Sequence, residues 1–293
     1  MSIDNRPFAL GDHGLPGDVG PRDIRRDFRM VHRGVYAEAA SPLTAVETIR
    51  AGWLRAGPDS VVAGVSAAVL HGGTFFDHGA TVELIRPPTG QGRRFNDVRI
   101  HRTEVNPADV VVIDGMPVTS PIRTAFDLGR RTPAWLALAH LDDLTRATDF
   151  DHMDLWRFVV AHPAVRNIRQ LRGLVPWIDA GAESSGESWT RFLMLDGGLP
   201  KPETQVKVYD EAGVIIAKFD LAYRREKIGV EFDGFEYHYS EDQRLSNAAR
   251  DRQTAALGWH TERRNSVQLS GDPGGFLAQL RGLLDARGRR RGR

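Results

Sequence analysis

The sequence predicts a mixed α/β chain of the α+β kind, with two folded regions. Three observations carry that expectation. A length of 293 residues suits about two domains of ordinary size. From Pro42 to about Trp177, short apolar alternations typical of strands are interleaved with helical periods. From Ser184 onward the pattern runs helix, three strands, helix, strand, helix.

Taken in order, residues 1–21 are rich in Gly, Pro and Asp and are expected to be poorly ordered. Residues 22–37 carry Arg25, Arg26 and Arg33 and end in Arg-Gly-Val-Tyr. They read either as the wing of a partial winged helix or as a solvated basic lead-in. Ser41 and Pro42 are expected to open a helix to about Ala56, and Ser66 to His71 a second, stopped by Gly72. Strands are expected at 81–85 and 98–101. Val110 to Thr119 reads as a hairpin on Asp114-Gly115. Helices follow from Ser120 to Arg130, Trp135 to Thr145 and Leu155 to Ala161, with a linker near 179–183. In the last third, strands are expected at 205–209, 214–223, 228–233 and 259–264, with helices up to Leu195, over 240–257 and from Gly274 to Leu284. The tail, 286–293, is nearly all Arg and Gly and is expected to be disordered.

Composition excludes some chemistries. Apolar content of 41% and charged content of 26% are globular values. Without cysteine there are no disulfides, thiolate zinc sites or cysteine nucleophiles, which fits a cytoplasmic protein. No signal-peptide or membrane-spanning apolar run is found, so a soluble protein is expected. A net charge of +1 means that any nucleic-acid footprint must be local. His71, His101 and His140 lack metal-ligand spacing.

Across 22–178, Arg-Gly-Val-Tyr, the run Ser66 to Gly72 and the run Val118 to Leu128 together resemble AbiEi-type antitoxin proteins. The resemblance implies DNA binding through an N-terminal winged helix, repression of the protein's own operon and a cognate toxin. A full winged helix needs more residues than precede Arg33.

The strands 214–223 and 228–233 read as a hairpin in which Tyr223 faces Ile228, so that Asp220 lies opposite Glu231 and Lys218 opposite Asp233. Alternation then puts Phe219, Leu221, Tyr223, Ile228, Val230 and Phe232 on one face, and Lys218, Asp220, Ala222, Gly229, Glu231 and Asp233 on the other. Facing carboxylates repel, so the face is either well solvated or offset by a cation. Mg²⁺ keeps several waters, and two carboxylates with a main-chain carbonyl suffice to hold it. Asp220, Glu231 and the Phe232 carbonyl are the candidate ligands.

Glu187, Gln205, Phe219-Asp220-Leu221, Val230 to Gly234, His238, Asp251-Arg252, Leu257-Gly258-Trp259 and Arg263 resemble, in order, the Vsr-like (very-short-patch-repair) branch of the PD-(D/E)XK nucleases. The resemblance covers 183–285 and implies a restriction-endonuclease-like αβββαβ core cutting DNA with Mg²⁺ or Mn²⁺. It assigns metal to Asp220, Glu231 and the Phe232 carbonyl, and water positioning or deprotonation to Glu187, Asp233 and His238. The usual Glu-x-Lys is here Glu231-Phe232-Asp233, which leaves the base open between Lys218 and His238. Glu187 equally completes a capping box with Ser184. Asp251 reads as a helix-surface partner for Arg250 or Arg252, and Arg263 either contacts phosphate or closes the sheet edge. Two functions follow: a metal-dependent endonuclease of repair or defence, or a non-enzymatic DNA-binding regulator or antitoxin on a degenerate nuclease fold.

Overall fold

The computed structural model describes residues 6–9, 26–75, 81–88, 97–234 and 241–290, with the backbone alone at 241–245 and 290. The chain is a mixed α/β protein. It divides into two compact units, Met1–Leu128 with Met153–Ala161, and Gly129–His152 with His162–Arg293. The helix expected near 135–145 thus lies in the second unit, and the one expected over 155–161 in the first. Arg191 explains part of this, because it is buried against Asp142 of the helix Ala134–Thr148.

In the first unit, β1 (Phe8–Ala9), β3 (Val35–Glu38) and β2 (Phe28–His32) form an antiparallel sheet in that order. β2 and β3 are the hairpin that the basic lead-in foreshadows, turning through Arg33 and Gly34, whose φ of 83° suits glycine. The helix α1 (Ala45–Ala56) starts later than Ser41 and Pro42 suggest. Thr44 caps it, in a reciprocal box with Glu47 that the Ser-Pro pair cannot make.

β4 (Val61–Val62), α2 (Gly64–Leu70), β5 (Val82–Arg86), β6 (Val98–Arg102), β7 (Val110–Ile113) and β8 (Met116–Thr119) follow. Their sheet runs β6-β5-β4-β8-β7. The β7–β8 hairpin turns on Asp114 and Gly115, both at positive φ, as its Asp-Gly pair requires. Ile49, Val62, Leu84, Met116 and Val118 form the core between α1 and this sheet. α3 (Pro121–Gly129) and α5 (His152–Ala161) complete the unit, Phe126 meeting Phe158 edge-on.

The second unit holds α4 (Ala134–Thr148), α6 (Ile168–Leu174) and α7 (Ser185–Asp196). Then come β9 (Glu203–Tyr209), β10 (Ile215–Tyr223), β11 (Ile228–Asp233), α8 (Glu241–Ala256), β12 (His260–Asn265), α9 (Ser266–Gly271) and α10 (Pro273–Arg290). The sheet order is β12-β11-β10-β9, with β11 and β12 parallel across α8 and the other pairs antiparallel. One face packs Leu221, Tyr223, Ile228 and Val230 against Met194, Leu269, Phe276 and Leu280. The other gathers Val206, Val208, Ala217, Phe219, Ala222 and Trp259.

Two expectations for this unit need correction. Phe219 does not share a face with Leu221 and Tyr223; its ring covers Gly229, where an added Cβ would lie 2.5 Å away. Strict alternation fails at Asp220, whose carboxylate takes the Phe232 N–H at 2.9 Å. The tail is also not disordered as far as it is described. α10 continues to Arg290, and the Arg287 guanidinium lies 2.7 to 3.0 Å from the carbonyls of Glu226, Lys227 and Gly258.

Candidate functional site

The hairpin register is the predicted one: Tyr223 faces Ile228, Ala222 faces Gly229 and Leu221 faces Val230. The paired ladder stops there, just short of Asp220 and Glu231. Asp220 accepts the amide that follows Glu231, so the side chain stands in for the strand's next acceptor.

Glu187 reaches the same place from α7. Ser184 caps that helix by accepting from Glu187 N at 3.2 Å, and its hydroxyl donates to Glu187 Oε1 at 2.9 Å. Glu187 Oε2 takes the Glu183 N–H at 2.8 Å and the Gln205 Nε2 at 2.9 Å. Helix and strand approach closely because residue 186 is glycine; a Cβ there would sit 2.0 Å from the Phe232 ring. Gln205 occupies β9 between Thr204, which faces Leu221, and Val206, which faces Phe219, and so lies opposite Asp220. Its φ of 52° is a left-handed conformation inside a strand.

These groups crowd negative charge. Burial, then the neighbouring Glu187 and Glu231 carboxylates, push Asp220 up to about 7 against the pull of the Phe232 N–H and Lys218. Burial also raises Glu187. An acid held that high prefers its proton unless a cation joins it.

Glu231 is treated differently. Buried at 6% exposure, it accepts from Arg263 Nε at 2.6 Å and Arg250 Nη2 at 3.0 Å. Arg263 also grips both oxygens of Asp251 at 2.6 Å. Its guanidinium holds the Asp251 carboxyl below the usual range. Arg263 therefore joins β12 to β11 and α8, as its reading as a residue that closes the sheet edge anticipates. Arg263 is the hydrogen-bonded partner of Asp251, with Arg250 acting on it through charge. Lys218 does not meet Asp233; its ammonium sits 2.9 Å from both Glu183 oxygens, an exposed pair of small energetic weight. Asp233 ends β11 opposite Asn265. His238 and Arg25 lie outside the described residues. Arg26 is paired with Asp27, whereas Arg33 is exposed at its turn.

Sequence reasoning missed Arg250 and gave Gln205 no role. Nothing local signals either. Only the parallel pairing that sets Glu231 beside Arg263, and the unexpected backbone at 205, reveal them.

Comparison with known proteins bears on the first region. Residues 60–177 match the family model of the AbiEi antitoxin C-terminal domain. The AbiEi-like resemblance of the middle region is thereby supported, while none of these findings supports the Vsr-like one. The chain is 29% identical over 173 residues to two uncharacterized proteins of Mycobacterium tuberculosis, MT2308 and Rv2248. Each match covers 59% of this chain and 64% of the relative, so it spans less than two thirds of the relatives' length. The crystal structure of the RV2827C protein from Mycobacterium tuberculosis is similar at 18% identity and a TM-score of 0.38, over 64% of this chain and 75% of that one. So distant a likeness decides nothing. Among the described residues no helix is long and apolar enough to cross a membrane.

Among the described residues, no group of three or more His, Cys, Asp or Glu side chains is placed to hold a metal ion. This holds for both units. In the second unit the donors are fewer than a closed cage needs, although carboxylates are the kind a hydrated hard cation takes, and Glu187 and Glu231 both act to raise Asp220. Two buried polar atoms on side chains bonded to these carboxylates, Gln205 Oε1 and Arg250 Nε, have no hydrogen-bond partner among the described residues.

Proposed function

We propose that the chain is a DNA-binding protein of the antitoxin kind, acting on its own operon with a cognate toxin as partner. The observation that carries the reading is the AbiEi antitoxin match over residues 60–177. The β2–β3 hairpin supports it by presenting the exposed Arg33, with Arg29 on the same hairpin, as phosphate contacts outside the matched region. The test is an electrophoretic shift with the duplex upstream of the reading frame, in EDTA, at several salt concentrations. Binding should persist without metal and weaken steeply with salt. Arg33→Glu with Arg29→Glu should lower it at least tenfold. Unchanged affinity in that double variant would remove the hairpin from the interface, and no shift at low salt would overturn the reading.

A second reading has its own observation: Asp220, Glu187 and Glu231 brought together at the point where β10 and β11 part, with Asp220 raised to about 7. We infer a metal-dependent phosphodiester hydrolase in the second unit, with DNA as substrate. Asp220 and Glu231 would hold Mg²⁺ or Mn²⁺ with the Phe232 carbonyl, Glu231 exchanging one arginine for the ion. A divalent cation there supplies neutralisation of phosphoryl charge and acidification of water. Glu187, tethered by four hydrogen bonds, would orient that water. Arg250, which already reaches Glu231, brings positive charge to a site that lacks the Glu-x-Lys lysine. Incubation of single-stranded, duplex, mismatched and branched DNA with the purified protein and Mn²⁺ tests this. Cutting should vanish in Asp220→Ala; no cutting of any substrate would defeat it.

A further inference from the structure

Gln205 makes a combination of contacts that packing alone does not explain. Its backbone is left-handed at φ 52° in the middle of a strand, a conformation that costs a residue with a Cβ and persists where the surroundings impose it. That backbone aims the side chain across β9 at Glu187, to which Nε2 donates at 2.9 Å. Glu187 is a carboxylate and accepts only, so the amide cannot be turned round without setting oxygen against oxygen. Oε1 is therefore fixed on the far side. It is buried, and no donor among the described residues reaches it. The position opposite in β10 is Asp220, another acceptor when ionised.

A buried amide oxygen without a donor, on a side chain bound to one carboxylate and in register with another, suits something that donates hydrogen bonds or carries positive charge. Arg250 and Arg263 do not serve it, being turned to Glu231 and Asp251. Resting on the hydrolase reading of this site, we propose that Gln205 is a positioning residue whose Oε1 accepts hydrogen bonds from the hydration shell of a divalent cation held by Asp220, while Nε2 fixes Glu187 beside it. A left-handed residue is thereby retained in β9 because the side chain is needed there.

The proposal is tested by titrating Mn²⁺ calorimetrically into the full chain, with thermal melts in EDTA and in Mn²⁺. Wild type should bind Mn²⁺. Gln205→Gly suits the left-handed backbone, so its melting temperature in EDTA should hold or rise while Mn²⁺ affinity falls about 10–100-fold. Gln205→Glu keeps an acceptor but sets a carboxylate against Glu187. It should melt lower than wild type in EDTA, recover in Mn²⁺ and retain the ion. If Gln205→Gly melts lower and binds Mn²⁺ as wild type does, the residue is only a strut and the proposal is overturned with the metal site intact. Should wild type itself take up no Mn²⁺, the hydrolase reading fails and this assignment with it.

Discussion

Asp220 gives stability a definite pH dependence. Its carboxyl titrates at about 7 in the folded chain against 3.8 for a free side chain. Below the lower value both states hold the proton and nothing is lost. Between the two values only the folded state keeps it, so stability falls as pH rises, and the cost is complete above about 7. Asp220→Asn should therefore stabilise the metal-free protein more near pH 8 than near pH 4, by about 1–4 kcal/mol in urea melts. A gain independent of pH would contradict the crowding of acids inferred here. Asp142 behaves oppositely on substitution. It is fully buried against Arg191 at 2.5 Å and also receives Ser188 Oγ and the Asp179 N–H. Asp142→Ala strands a buried guanidinium and should cost about 3–5 kcal/mol. A loss under 1 kcal/mol, measured by denaturant titration, would mean that water reaches Arg191.

Among the elements, α7 and β11 depend on Gly186, because the Phe232 ring fills the space a side chain would need. Gly186→Ala should destabilise by about 1–3 kcal/mol, and the helix start that carries Glu187 should move away from Asp220. The melt and the Mn²⁺ titration would then both respond; a wild-type value for each would show that the ring moves freely. Thr44→Ala should cost about 1 kcal/mol through the lost cap of α1. The elements also show what a sequence can disclose. The β10–β11 register was legible because a four-residue connection and alternating apolar residues leave one solution. The Asp-Gly turn was legible because both its residues tolerate positive φ. The side on which Phe219 packs was not, because alternation breaks at Asp220, whose carboxylate takes a main-chain amide that no side-chain pattern announces. The pairing of Glu231 with Arg250 and Arg263 was equally hidden, since it exists only once α8 has carried the chain over to β12. Two-residue strands such as β4 are too short to leave a period.

For the whole molecule, the division into units interleaves the chain. α5 returns to the first unit, where Leu155 and Val159 are fully buried, after α4 has entered the second. Those two side chains alone represent about 3–6 kcal/mol of burial. A fragment ending at Leu128 should accordingly fail to give a cooperative urea transition, whereas the intact chain should give one. A cooperative fragment would show that the first unit does not need α5. The antitoxin-like match ends at Trp177 and overlaps both units, so the matched stretch and the compact units do not cut this chain at the same place.

The clasp made by Arg287 gives the far end of the chain a hold on the acidic centre. Its single guanidinium staples the loop joining β10 to β11 and the turn leading into β12, the strands that bear Asp220, Glu231 and Arg263. Losing Arg287 would loosen both connections at once, so one arginine near the end of α10 acts as a strap across the sheet's edge.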